Sequence, residues 1–167
     1  NKVVTPETIC PCDGPLEIGE YQISTWNNQY YPQSTMIEVI QHSDNVGMAF
    51  VAQKLGLEKT LSGLEKFGFG KITGIDLQGE VSPALREAKY WSPIDLATLS
   101  FGQGIAITPI QMVQAMGAIA NNGKLISPRV VASLVDQKGK LETFPKKEQG
   151  VISPQTAKEI TKMMVNA

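Results

Sequence analysis

Repeated helix-start signals constrain this sequence more than any other feature. Thr35-Met36-Ile37-Glu38 and Thr108-Pro109-Ile110-Gln111 each place a hydroxyl residue three positions before a Glu or Gln, which is the capping-box pattern. Ser92-Pro93 and Ser153-Pro154 each place a serine before a proline, and proline is favoured at the first helical position. We therefore predict a mainly α-helical chain.

Apolar periodicity extends these signals into individual helices. One helix follows Thr35, a second runs from Ser43-Asp44-Asn45 to a stop at Gly56, and a third covers residues 57–67. In the helix that follows Thr108, apolar residues predict the buried face: Ile110, Val113, Met116-Gly117 and Ile119-Ala120. In the last helix we expect the following residues to point inward: Ala157, Ile160 and Met163-Met164.

Strand signals are few and short. Residues 16–18 and 21–23 alternate around a turn and predict a hairpin, and a strand at 129–135 has a predicted partner near 140–144. No central sheet is predicted. We expect a single helical fragment over 1–167, divided as follows: an irregular segment with the hairpin (1–33), a helical core (34–127), a hairpin (128–152) and a helix (153–167).

Composition excludes several classes of function. The net charge of -1 gives no basic field for nucleic acid, and one histidine cannot make a multi-histidine metal site. Cys10 and Cys12 are too few for structural zinc, and a disulfide across one residue would be strained, so we predict two loop thiols. We expect no cofactor and no metal. An opening without Met suggests an excised piece of a longer protein.

The triplet Ser43-Asp44-Asn45 is the strongest candidate for chemistry. By itself it favours helix caps, because Ser, Asp and Asn are common cap residues. Ser-Asp-Asn is also one of three motifs, with Ser-x-x-Lys and Lys-Thr-Gly, that line the site of β-lactamases and penicillin-binding proteins. Its junction between two predicted helices would expose short polar side chains on a rigid support.

Several phrases around the triplet occur in a recognisable order. They are Gln41-His42-Ser43-Asp44-Asn45-Val46-Gly47, Gly68-Phe69-Gly70-Lys71-Ile72-Thr73-Gly74-Ile75-Asp76-Leu77, Trp91-Ser92-Pro93-Ile94-Asp95-Leu96-Ala97-Thr98, Ser100-Phe101-Gly102-Gln103-Gly104 and Thr108-Pro109-Ile110-Gln111-Met112. In this order the chain resembles the transpeptidase domain of class B penicillin-binding proteins, and the phrase from Trp91 is more similar to the division branch. The implied fold is the helical subdomain of the serine β-lactamase-like transpeptidase fold.

The resemblance implies a serine acyl transfer that cross-links peptidoglycan stem peptides ending in D-Ala-D-Ala, which β-lactams mimic. Ser43 would be a catalytic proton relay, Asn45 would be catalytic and would hold the substrate carbonyl, and Asp44 would cap a helix. The parent would be anchored in the cytoplasmic membrane with this part outside, as a soluble fragment, and cell-division proteins would be its partners.

Two of the three family motifs are missing from the sequence. No Ser-x-x-Lys occurs, and Lys71-Ile72-Thr73-Gly74 has an extra residue and lies in a glycine-rich stretch, whereas a true Lys-Thr-Gly needs an edge strand. By family order Ser-x-x-Lys would lie just before Asn1 and Lys-Thr-Gly just after Ala167. We therefore expect the fragment alone to be inactive.

Two other functions stay open. One is a non-catalytic helical interaction module of a degenerate penicillin-binding protein, and the other is a fragment of a β-lactamase or β-lactam sensor. The phrases Gly74-Ile75-Asp76-Leu77 and Ser100-Phe101-Gly102-Gln103-Gly104 disfavour the β-lactamase or sensor function. His42 is interpreted as a helix-terminal residue rather than a base, and Trp26 and Trp91 are interpreted as packing residues rather than sugar platforms.

Overall fold

A computed structural model describes residues 3–143, 147–165 and 167; residues 1, 2, 144–146 and 166 lie outside this description. Six α-helices occur in the described residues. Their bounds are Met36–Gln41 (α1), Asn45–Leu55 (α2), Leu57–Lys66 (α3), Pro93–Leu99 (α4), Pro109–Ala120 (α5) and Pro154–Val165 (α6), with a 3-10 helix at Ala88–Tyr90. The mainly α prediction is confirmed.

Sheet structure in the described ranges consists of four antiparallel pairs of strands. The strands are Ile9–Cys10 (β1), Leu16–Ile18 (β2), Tyr21–Ile23 (β3), Ser34–Thr35 (β4), Lys124–Ile126 (β5), Ser133–Val135 (β6), Leu141–Thr143 (β7) and Glu148–Gly150 (β8). Strands β2 and β3 form the first predicted hairpin, and β6 and β7 form the second, whose predicted end at residue 144 is not described. The β1–β4 and β5–β8 pairs were not predicted.

The chain divides into two compact units. The first comprises residues 1–63, 86–105 and 159–167, and the second comprises residues 64–85 and 106–158. Along the described chain, no helix is both long and apolar enough to cross a membrane.

The first unit is built around a core in which α1, α2 and α4 meet the N-terminal strands. Helices α2 and α4 pack against each other, and the buried side chains come from these elements and from α6. The buried members are Cys10, Cys12, Ile23, Met36, Val39, Val46, Ala49, Ala97 and Met163. Val39 of α1 and Val46 of α2 belong to this core, so buried residues anchor the chain on both sides of the α1–α2 junction.

The prediction of two loop thiols is wrong. Cys10 and Cys12 form a disulfide, both are fully buried, and Cys10 belongs to β1. The chain bends at Pro11 and brings the two Cα atoms to 5.2 Å, which is inside the range that disulfides bridge. The bend therefore allows a pairing across one residue that an extended chain would oppose.

The second unit contains α5, whose buried face differs from the predicted one. Gln111, Ala115 and Ala118 are buried, whereas Val113 and Met116 are 66% and 42% exposed. Gln111 is 1% exposed because its amide nitrogen donates to the carbonyl of Lys71 at 2.8 Å and to the hydroxyl of Ser82 at 3.0 Å. A buried amide is tolerated when its hydrogen bonds are made, so this polar residue takes an interior position.

The last helix follows its prediction in part. Ala157 and Met163 are buried and Ile160 is half-buried, but Met164 is exposed. Neighbouring residues on a helix are separated by about 100°, so Met163 and Met164 cannot both face one core.

Candidate functional site

The triplet Ser43–Asn45 joins α1 to α2 through two overlapping local motifs, a turn that ends α1 and a cap that begins α2. At the end of α1, the Ser43 amide donates to the Ile40 carbonyl at 3.1 Å and the Asp44 amide donates to the Val39 carbonyl at 2.9 Å. With His42 as the C-cap, these two bonds make a Schellman motif. The turn ends the six-residue α1 and directs the chain at once into α2.

Ser43 takes the position that glycine usually takes in such a motif. Its φ is 52°, in the left-handed region, and the residue is exposed. A side chain in this conformation costs about 1 kcal/mol relative to glycine. A serine kept at a glycine position is a candidate functional residue, because strain of this kind collects at active sites.

Asp44 is the N-cap of α2, as the sequence predicted. Its side chain is 1% exposed, and Oδ1 accepts from the amides of Val46 at 2.8 Å and Gly47 at 3.1 Å. Its other carboxylate oxygen is buried and makes no hydrogen bond to any described residue. The carboxylate therefore stabilises the start of α2, where the helix dipole favours a negative charge.

Asn45 is the first residue of α2 and is half-buried. Its side-chain nitrogen donates to the carbonyl of Ser24 at 3.1 Å. A primary amide offers two N–H donors and one carbonyl acceptor, and this bond uses one donor. The bond fixes the side chain while leaving it capacity for a further partner.

Aromatic residues surround the start of the triplet. The imidazole of His42 stacks on the ring of Tyr31, with centroids 3.8 Å apart and planes 9° apart. Trp26 donates its indole N–H to the His42 carbonyl at 3.3 Å, although its side chain is 72% exposed. His42 is helix-terminal, as predicted, and the exposure of Trp26 leaves the rim rather than the core as its packing position.

The Ser24–Trp26 segment is the part of this site that the sequence did not reveal. Ser24 contacts a residue 21 positions away and Trp26 contacts one 16 positions away. No local pattern connects residues at these separations, so only the folded chain identifies the segment.

The sequence predicted that Lys71–Gly74 forms a loop rather than a strand, and the structure shows a loop there. The amide and hydroxyl of Thr73 both donate to one carboxylate oxygen of Glu80 at 2.6 Å, and the Gly74 amide donates to the other at 3.0 Å. The hydroxyl and then the amides lower the pKa of Glu80, and the carboxylate holds the loop in shape. These bonds use the loop's polar groups within its own unit.

Comparison with protein families matches residues 1–167 to the family described as the penicillin binding protein transpeptidase domain. The chain is similar to Stage V sporulation protein D of Bacillus subtilis, 36% identical over 150 residues, which is 88% of this chain and 23% of the relative. It is also similar to penicillin-binding protein PbpB of Mycolicibacterium smegmatis, 32% identical over 98% of this chain and 25% of the relative. The chain thus spans about a quarter of the length of these relatives.

Solved structures give the same fold. Penicillin binding protein 3 of Mycobacterium tuberculosis, crystallised with aztreonam, superposes with a TM-score of 0.87 at 31% identity, over 95% of this chain and 36% of that one. A peptidoglycan synthetase from Bifidobacterium adolescentis superposes with a TM-score of 0.89 at 24% identity, over 98% of this chain and 30% of that one. The second comparison supports the fold alone.

Proposed function

The chain belongs to the penicillin-binding protein transpeptidase domain family, as its sequence predicted, and on that premise we propose that it forms the Ser-Asp-Asn wall of a peptidoglycan D,D-transpeptidase. In that reaction a serine attacks the peptide bond of a terminal D-Ala-D-Ala, and D-Ala leaves with a proton. The acyl group then passes from the serine to an amine on a neighbouring stem peptide: a new peptide bond forms, the serine ester breaks, and a proton from the amine returns to the serine oxygen. These 167 residues contain no Ser-x-x-Lys, so the proposal requires a longer gene product that carries that serine and lysine.

Ser43 acts as the proton relay between that lysine and the leaving amine. Its support is the position of Ser43 at the α1–α2 junction, where the residue is exposed, has a left-handed φ and lies in a hydrogen-bonded turn. A positioned proton relay contributes typically about 10²–10⁴-fold to a rate. The left-handed serine is the observation that carries this proposal, because a cap function alone would be served better by glycine.

Asn45 acts as the amide that holds the substrate carbonyl and orients the lysine. The bond from its side chain to Ser24 sets the amide plane before substrate arrives. A group that is oriented in advance loses less entropy in the transition state. Asp44 serves the site indirectly, since it caps the helix that carries Asn45.

Fluorescent penicillin distinguishes the possible functions. We expect this chain alone to stay unlabelled, because it has no Ser-x-x-Lys nucleophile. The longer gene product is expected to carry Ser-x-x-Lys and Lys-Thr-Gly and to become labelled. In that protein Ser43→Ala should slow acylation about 100-fold or more. Ser62→Ala, which removes an exposed hydroxyl from α3, should leave the rate unchanged.

Other results would identify other functions. Covalent labelling of the isolated chain would contradict the assignment of the nucleophile. A gene product without Ser-x-x-Lys would make this chain a non-catalytic interaction module, and rapid turnover of penicillin would make it part of a β-lactamase.

We place the reaction on the outer face of the cytoplasmic membrane, with the parent anchored there, because its peptidoglycan substrate lies outside. Stage V sporulation protein D and the FtsI transpeptidase of Escherichia coli, which is 34% identical over 93 residues, favour a role in division or a related process. Cell-division proteins are then its expected partners.

A further inference from the structure

We infer that Trp26 is a positioning residue for the hydroxyl of Ser43, holding through its indole N–H the peptide group that sets the left-handed conformation of that serine. This inference rests on the proposed function. It concerns a residue outside the Ser-Asp-Asn triplet and 17 positions before the serine it positions, by the numbering of the sequence.

The peptide group between His42 and Ser43 is held at both of its polar ends. Its N–H donates to the Ile40 carbonyl at 3.1 Å, and its carbonyl accepts the indole N–H of Trp26 at 3.3 Å. The orientation of this peptide plane helps to set φ of Ser43, because φ is the rotation about the bond that joins the Ser43 nitrogen, which lies in the plane, to the Ser43 Cα. Rotation of the plane out of its place would therefore move the serine and break both bonds.

The indole N–H of Trp26 supplies a hydrogen-bond donor that α1 itself cannot supply. The last carbonyls of a helix have no partner within it, so the His42 carbonyl at the end of α1 needs a donor from elsewhere. Trp26 supplies that donor from a segment that also holds the other side of Ser43, since the Ser24 carbonyl accepts from Asn45. One three-residue segment thus contacts the chain on both sides of the serine.

Exposure indicates that the indole N–H matters more than the packing of the ring. Trp26 leaves 72% of its surface in solvent, whereas residues that stabilise by packing are buried. Trp91 makes a comparable bond, from its indole N–H to the Arg86 carbonyl at 3.0 Å, within the same unit but between other elements. Trp91 is therefore a matched control for loss of an indole hydrogen bond.

The test uses the longer, acylating protein and separates penicillin binding from acylation. Trp26→Phe keeps an aromatic ring and removes the donor. Benzothienylalanine at position 26 keeps the shape of the indole and replaces only the N–H. We expect both to lower the acylation rate constant about 10-fold while the dissociation constant of the preceding noncovalent complex is unchanged. Trp91→Phe should alter neither constant.

Each other outcome has one meaning. If wild type acylates and Trp26→Phe acylates at the same rate, or if benzothienylalanine behaves as wild type, the inference is overturned. An equal loss in Trp91→Phe would also overturn it, since the effect would then be general destabilisation, which thermal unfolding of both variants would register. A wild type that never acylates would refute the proposed function, and the inference with it.

Discussion

Gly47 lies so close to Val39 that a Cβ on the glycine would be 2.5 Å from Cγ2 of the valine and 2.6 Å from Cγ1. Both residues are buried, and they belong to α2 and α1 respectively. The absence of a side chain at position 47 therefore lets the two helices meet directly beside the Ser43–Asn45 junction.

We predict that Gly47→Ala destabilises the first unit. Overpacking a filled core costs about 1–3 kcal/mol, and the gain in helix propensity of up to about 1 kcal/mol offsets only part of it. Urea unfolding should show a lower midpoint at an unchanged slope. Gly63→Ala in α3 is the control, because a Cβ at position 63 would meet no atom within 4 Å. This variant should stabilise the helix. Equal effects of the two variants would contradict the close packing.

Substitutions at Ser43 should separate stability from activity. Ser43→Gly relieves the left-handed strain at φ 52°, so we expect the free energy of unfolding to rise by about 1 kcal/mol. Ser43→Ala keeps the strain and should change stability little. Both variants remove the hydroxyl and should slow acylation in the longer protein. Urea midpoints of the two variants provide the measurement, and a glycine variant no more stable than the alanine variant would show that the residue is unstrained.

Local signals explain why the helices could be predicted. The capping boxes at Thr35, Ser92 and Thr108 all form, and each involves contacts across three residues only. Gly56 follows α2 as predicted because a helix end depends mainly on its own last turn. Residues of the candidate site, Ser43 and Asn45, came from the resemblance, and their catalytic roles stay predictions.

Nonlocal contacts explain what the sequence did not reveal. Periodicity placed Val113 inside and could not foresee that Gln111 would be buried by partners 40 and 29 residues away. The β5–β8 pair joins Leu125 to Gln149, and no residue near either strand signals the other. Trp26 is a further example, because its hydrogen bond to His42 spans 16 positions and no residue near Trp26 signals that partner.

Asp76 provides a prediction about pH. Its two carboxylate oxygens accept from the amides of Val130 at 2.6 Å and Val131 at 2.7 Å. These bonds, first that of Val130, lower the pKa of Asp76 below its ordinary value of 3.8, with a smaller effect of Arg129. A carboxyl whose pKa is lower in the folded state stabilises the fold above pH 3.8, and this contribution is lost as the pH falls through the folded-state pKa.

Asp76→Asn should therefore lower the urea midpoint at pH 7 and differ less from wild type as the pH falls below 3.8. Asp136→Asn is the control, since the hydrogen bonds to its carboxylate that the structure describes come from the amides of Lys138 and Lys140, within its own turn. We expect the control to lose less stability. A gap between Asp76→Asn and wild type that stays constant through acid would contradict the assigned pKa shift.

Reduction of the Cys10–Cys12 disulfide provides the last prediction. The bond closes a loop of only three residues, and for such a loop the chain-entropy model gives a stabilisation of the folded state of about 1.5 kcal/mol. Reductant has this single target, because the sequence holds two cysteines. Both sulfurs are fully buried, so we expect no alkylation in the native state and two alkylated thiols after denaturation with reductant. Alkylation in denaturant without reductant would show that the thiols are free. Alkylation that requires both denaturant and reductant would show a buried disulfide, which reinforces the core that Cys10 and Cys12 share with α1.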